Sequence, residues 1–184
     1  GQGSLRYDVM YNDFLLVGPS SDPAKAKGLE ITAALQAIAK AQALFVSRGD
    51  NSGTNSKELA LWKKAAITPS GQAWYLSAGQ GMGETARIAS EKEAYTLIDR
   101  ATFLATEKGL QLVIISEKSK DLLNPYGVIV VNPANHPKVH AVEAKTFADW
   151  IVRPDIQKII GTFGVAQYGQ QLFVPDAKAT GATP

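Results

Sequence analysis

At 184 residues, with 45% hydrophobic and 20% charged side chains, the chain is long enough to bury a core and too apolar to be disordered. Its 19 Lys and Arg against 17 Asp and Glu give a net charge of +2, which excludes a nucleic-acid protein relying on a broad basic field. The absence of cysteine excludes disulfides, thiolate metal sites and a cysteine nucleophile, and two histidines leave little material for a metal site or a His-based triad.

Residues 1–14 (GQGSLRYDVMYNDF) carry no apolar signal-peptide region, and no apolar run approaches the ~20 residues of a membrane span. The expectation is a cytosolic protein or a chain that begins downstream of a targeting segment. Residues 14–18 (FLLVG) suit a buried strand stopped by Pro19. A turn cluster (PSSDP) follows, then a helix over 31–43 with apolar residues at 31, 34, 35, 38 and 39. Residues 44–46 form a short strand. After the polar stretch SRGDNSGTNSKE, a second helix is expected from about Asn55 to Ala66, with Leu59, Trp62 and Ala66 on one face.

Pro69-Ser70-Gly71 breaks the chain, and residues 73–76 (AWYL) read as a helical continuation or a short connector. The glycine-rich GQGMG of residues 79–83 opens onto a third helix, ETARIASEKE. Residues 94–98 form a strand, Asp99 caps the helix RATFLAT, and Gly109 ends it. Residues 112–115 form a strand, and YGVIVVNP is the longest β-branched run. Pro137 fits the first turn of a helix reaching about Val152, and Pro154 starts a shorter one closed by Gly161 and Gly164. The tail DAKATGATP is polar and small, and is expected to fray. Short buried strands alternating with helices indicate an α/β protein.

The stretch SRGDNSGTNSKE carries the chemistry. The first turn of a helix leaves amides without partners, and its dipole places partial positive charge there. A strand leading through a glycine-bearing loop into a helix therefore receives an oxyanion readily. Gly53 lets the backbone approach closely, Ser52 and Thr54 bring hydroxyls, and Arg48 brings a fixed charge with planar donors. Asp50 would repel such a guest, and is expected to orient Arg48 or to cap local backbone amides. The competing reading is an ordinary helix start, with Thr54 or Asn55 as cap and Asn55 and Glu58 as a box-like pair. A phosphate-binding P-loop is excluded, because the terminal glycine-lysine pair is missing and Lys57 lies within the helix. Gly79, Gly81 and Gly83 would present further amides or simply make a tight turn.

Other candidates are weaker. His136 and His140 have metal-ligand spacing, but His136 precedes Pro137 and no third ligand is evident. Glu91, Glu93 and Asp99 form no acid/base pair, and Ser47 has no histidine nearby in sequence. Trp62, Trp74 and Trp150 occupy apolar helix positions and are expected to pack in the core.

Taken in order, VMYNDFLLVGP, FVSRGDNSGTNSKELALW, WYLSAGQGMGETARIASEKEAYTLIDRATFLA, NPYGVIVVNP and IQKIIGTFGVAQYGQQLFVPDA resemble the tungstate-binding proteins of bacterial ABC importers. The resemblance implies a type II periplasmic binding-protein fold: two α/β lobes joined by two crossing strands, with tungstate or molybdate in the cleft. It implies no enzymatic activity and no cofactor, a periplasmic or extracytoplasmic location, and a permease and ATPase as partners. Arg48 matches the cleft arginine, and Ser52, Gly53 and Thr54 match the donor loop; Gly81 and Gly83 match a nearby glycine loop. Members of that family carry a Thr/Ser-rich turn ahead of the segment like DVMYNDF, and nothing here matches it.

The expected architecture is therefore one complete three-layer lobe, residues 19–125, flanked by a crossing strand in 1–18. Residues 126–184 would supply the second crossing strand and the C-terminal helices of an incomplete lobe. Weak anion binding by this chain alone, and dimers covering the exposed helices, are expected with it. Two other readings share the fold: the ligand-sensing domain of a transcriptional regulator, and an enzyme, for which the sequence offers no catalytic constellation.

Overall fold

The structure is a computed structural model that describes residues 1–177. The polar tail lies outside the described residues from residue 178 on. The chain divides into two compact units, Asp13–Leu123 and Gly1–Asn12 with the chain from Asn124 onward.

Within Asp13–Leu123, the end of strand β1 (Gly3–Pro19) pairs antiparallel with β4 (Thr96–Asp99) and β5 (Leu112–Ser116). Successive strand residues point to opposite faces, and the run FLLV is apolar at every position, so both faces must be covered. Phe14 and Leu16 pack with Ile31, Leu35 and Ile38 of helix α1 (Ile31–Ala41) and with Trp62 of α2 (Gly53–Lys64). Leu15 and Val17 pack instead with Ala86 and Ala89 of α3 (Met82–Glu91) and Phe103 of α4 (Arg100–Thr106). Asp99 caps α4 as its sequence position predicts, its carboxylate accepting the amide of Thr102 at 2.9 Å.

A second, two-stranded sheet carries the candidate site. Strands β2 (Phe45–Ser47) and β3 (Tyr75–Ser77) are parallel, and Phe45 also bridges to Tyr95. Residues 73–76 are thus no helical continuation: Tyr75 and Leu76 are strand. Their placement is fixed by aromatic packing, with Phe45 stacked on Tyr75 at 5.9 Å and edge-on to Trp62 at 5.1 Å. Helix α2 begins two residues earlier than expected, because Ser52 rather than Thr54 or Asn55 is its cap. Its buried face is Thr54, Asn55, Glu58, Leu61 and Trp62, whereas Leu59 is exposed.

In the other unit, the first part of β1 pairs with β6 (Leu123–Val131) and, at Met10 and Tyr11, with β7 (Val174–Pro175). Helix α5 (Ala141–Ile151) starts four residues after Pro137, which lies in the preceding turn. Helix α6 (Pro154–Thr162) starts at Pro154 as expected, and α7 (Val165–Tyr168) follows Gly164, whose φ of 89° closes α6. Gly161 lies inside α6. Trp150 is 43% exposed and is no core residue, in contrast to Trp62 and Trp74. Among the described residues, no helix is long and apolar enough to cross a membrane.

Candidate functional site

Strand β2 delivers Arg48 to the head of α2. The loop between them turns through two left-handed residues, Gly49 at φ 61° and Asn51 at φ 57°. A β-carbon at Gly49 would stand 1.7 Å from the Ser77 hydroxyl, so only glycine lets this loop cross the end of β3. The crossing is tied by two backbone bonds, from the Ala78 amide to the Ser47 carbonyl and from the Gly79 amide to the Arg48 carbonyl, at 2.9 and 2.8 Å. The SRGD and GQGMG loops, far apart in sequence, are thereby neighbours. The segment ahead of GQGMG, expected from sequence to be a helical continuation or a connector, ends in strand β3.

At the head of α2, the Ser52 hydroxyl accepts the Asn55 amide, and the Ser52 amide donates to Asp50. The amides of Gly53 and Thr54, first in the helix, have no helical acceptor. Arg48 reaches across this turn: Nη1 lies 3.4 Å from the Thr54 hydroxyl and Nη2 2.5 Å from Asp50 Oδ2. Its Nε is buried without a hydrogen-bond partner, and an orphaned buried donor is costly unless a guest takes it. The Ser52 hydroxyl and amide, followed by Arg48, hold the Asp50 carboxyl below its ordinary range, so it stays ionised and pins the guanidinium.

The sequence-derived candidates thus fall into two groups. Arg48, Ser52, Gly53 and Thr54 surround one turn. Gly81 is the N-cap of α3 without a side-chain cap bond, and Gly83 lies in its first turn; a β-carbon at either would meet nothing within 4 Å. Lys57 turns away, donating to the Leu123 carbonyl at 2.8 Å. His136 and His140 are not brought together as ligands: His136 bonds Gln2 and His140 is the N-cap of α5. Among the described residues, no group of acidic or histidine side chains is arranged to hold a metal.

Sequence reasoning missed the layer beneath the turn. Glu58 makes no capping pair with Asn55; it points inward and is 3% exposed. Ser47 donates to its Oε2 at 2.5 Å, and Trp62 Nε1 and the Tyr75 hydroxyl donate to Oε1 at 3.0 and 2.6 Å. Burial pushes the Glu58 carboxyl above its ordinary range against these bonds, and burial together with the Glu58 charge raises Tyr75. The available signal was positional: Glu58 shares a helix face with Asn55 and Trp62.

Residues 1–155 match the PBP superfamily domain. The tungstate-binding protein TupA of Peptoclostridium acidaminophilum is 48% identical over 180 residues, which are 96% of this chain and 63% of that protein. The solved TupA from Desulfovibrio alaskensis G20 superposes with a TM-score of 0.85 at 45% identity, over 97% of this chain and 72% of the other. The chain belongs to the PBP superfamily, in the TupA family.

A further family structure, the tungstate ABC transporter from Geobacter sulfurreducens, is 46% identical with a TM-score of 0.76, over 89% of this chain and 69% of that one. The expected α/β, periplasmic-binding-protein-like fold class is therefore what the TupA-family likeness shows. The chain spans 63% of the length of the Peptoclostridium relative.

Proposed function

We propose that this chain is the anion-holding part of an extracytoplasmic solute-binding protein that captures tungstate or molybdate for an ABC importer. Arg48 neutralises the dianion and donates through Nε, Thr54 donates its hydroxyl, Ser52 turns its hydroxyl from Asp50 to the anion, and the amides of Gly53 and Thr54 complete the wall. Gly81 and Gly83 line the adjoining turn. The bound oxyanion is cargo, no cofactor takes part, and the chain does no chemistry on it. The partners are a membrane permease and its ATPase.

The observation that carries this reading is the unpartnered Nε of Arg48, buried beside the first-turn amides of α2, which have no acceptor within the helix. An oxyanion supplies acceptors to both at once and is favoured by the helix dipole. The names of the TupA relatives support the same ligand class, and the shared identity of 45–48% supports carrying it over. Water reaches the charges of this turn and screens them, so the chain alone holds the anion weakly.

Calorimetric titration with tungstate, molybdate, sulfate and phosphate, repeated on Arg48→Ala, tests the reading. Heat from the group VI oxyanions that disappears in the variant supports it. Equal binding by both proteins removes the site, and submicromolar affinity in a monomer removes the weak-binding part.

A further inference from the structure

Glu58 is the one acidic or basic side chain among the described residues that is buried to 3% exposure, and no cation pairs with it. A carboxyl in that position costs more than a leucine of similar volume unless its bonds accomplish something. Its bonds lead to the anion loop. Glu58 holds the Ser47 hydroxyl, whose oxygen accepts Asn55 Nδ2 at 3.1 Å, and Asn55 Oδ1 in turn accepts the amide of Asn51 at 3.2 Å. One continuous chain of hydrogen bonds therefore joins the buried carboxyl to both flanks of Arg48: Ser47 directly before it and Asn51 three residues after it. From the far side, Tyr75 ties the same carboxyl to β3, the strand that Gly49 crosses.

We propose that Glu58 is a positioning residue of the oxyanion loop, acting through Ser47 and Asn55 and making no contact with the anion. The inference deepens the oxyanion reading above and rests on it for the ligand. Without these bonds, the left-handed turn at Asn51 keeps its local contacts to Asp50 and Ser52 but loses its tie to the buried layer, and Arg48 is held less firmly. Such a network works only when every member is satisfied, and here each carboxylate oxygen has a donor.

The test compares Glu58→Gln and Glu58→Leu in the 184-residue chain by amide hydrogen exchange without anion, and by tungstate titration. Glutamine keeps an acceptor for Trp62 and Tyr75 and an amide for Ser47; leucine keeps only volume. In Glu58→Leu, exchange at Asn51 and Gly79 should quicken by about tenfold while the core amides of β1 and β4 stay protected. Tungstate affinity should fall by about tenfold or more, as for other supports of a bound ion. Glutamine should restore both.

Wild-type exchange at Asn51 and Gly79 in a folded Glu58→Leu protein overturns the proposal. If leucine prevents folding, Asn55→Ala cuts the same chain at its outer link: quickened exchange at Gly79 supports the proposal, and unchanged exchange overturns it. A wild-type protein that ignores every oxyanion defeats the functional reading instead, while loop exchange still decides the role of Glu58.

Discussion

The guanidinium of Arg48 is held by Asp50, Nη2 to Oδ2 at 2.5 Å, while its Nε faces no partner. Both terminal nitrogens are thus spent on orientation, Nη2 on Asp50 and Nη1 on Thr54, and Nε is the donor left free. A lysine at this position keeps the charge and loses that division of labour. Arg48→Lys should therefore weaken tungstate binding by roughly tenfold, against about a hundredfold or more for Arg48→Ala. Titration of both variants at one ionic strength checks this; equal losses would show that planar geometry contributes nothing.

Asp50 and Glu58 should leave opposite marks on stability against pH. The folded pKa of Asp50 is depressed, so its contribution is present above its ordinary value near 3.9 and vanishes as pH falls through the lower folded value. The folded pKa of Glu58 is raised, so its contribution is fullest below its ordinary value near 4.3 and is lost as pH rises through the folded value. Urea unfolding from pH 2 to 8 should show Asp50→Asn approaching wild type only at the acid end. Glu58→Gln, which cannot ionise, should gain on wild type as pH rises above about 4.3. A Glu58→Gln difference that is flat with pH would contradict the raised carboxyl.

Gly49 and Gly53 lie in the same loop and should answer differently to alanine. At Gly49 the backbone is left-handed and the added carbon would collide with Ser77, so Gly49→Ala should cost about 2 kcal/mol or more in unfolding free energy. At Gly53 an added carbon meets nothing within 4 Å, and alanine suits a helix better than glycine by about 0.5 kcal/mol. Gly53→Ala should therefore fold at least as stably as wild type yet bind tungstate about tenfold more weakly, since the methyl enters space assigned to the anion. Unaltered affinity in a stable Gly53→Ala protein would move the anion away from the helix start.

Much of the layout was legible because its signals are local. FLLV is apolar on both faces and could only be a covered strand, and Asp99 before RATFLAT has the geometry of a cap. SRGDNSG placed a cation and a helix start together, and the fold kept them together. What failed depended on distant partners. Three residues of β3 carry too little pattern to be read without β2 beside them. Glu58 looked like the partner of Asn55 in a capping pair because its actual donors, Ser47 and Tyr75, come from two strands that close over it. Helix α5 was begun too early at Pro137, since proline permits a first turn without requiring one.

Arg100 joins two carboxylates in a poorly exposed ion cluster of the Asp13–Leu123 unit, and its loss should register as global destabilisation. Nε and Nη2 bind both oxygens of Asp13 at 2.8 and 2.6 Å, and Nη2 also binds Glu117 at 2.8 Å. The Arg100 and Asp13 side chains are only 14% and 21% exposed, so screening by water is limited. Removing the arginine leaves two carboxylates facing each other, and Arg100→Ala should cost about 2–3 kcal/mol in urea unfolding. Asp13→Asn keeps one carboxylate and should cost less.

The unit formed by Gly1–Asn12 and the chain from Asn124 onward exposes Val142 at 77%, Ile159 at 63%, Phe163 at 58% and Phe147 at 51%. Four large apolar side chains on helices α5 and α6 and the turn after α6 are more than scattered surface residues. Association that covers them should be favourable by about 25 cal/mol per Å² of apolar area removed from water. Sedimentation velocity should accordingly show a species of twice the chain mass that dissociates on dilution, and Val142→Glu with Phe147→Glu should shift the equilibrium to monomer. Because those substitutions lie outside the Asp13–Leu123 unit, the proposed tungstate binding should be unchanged by them. A chain that stays monomeric at high concentration would show that these side chains tolerate water as they stand.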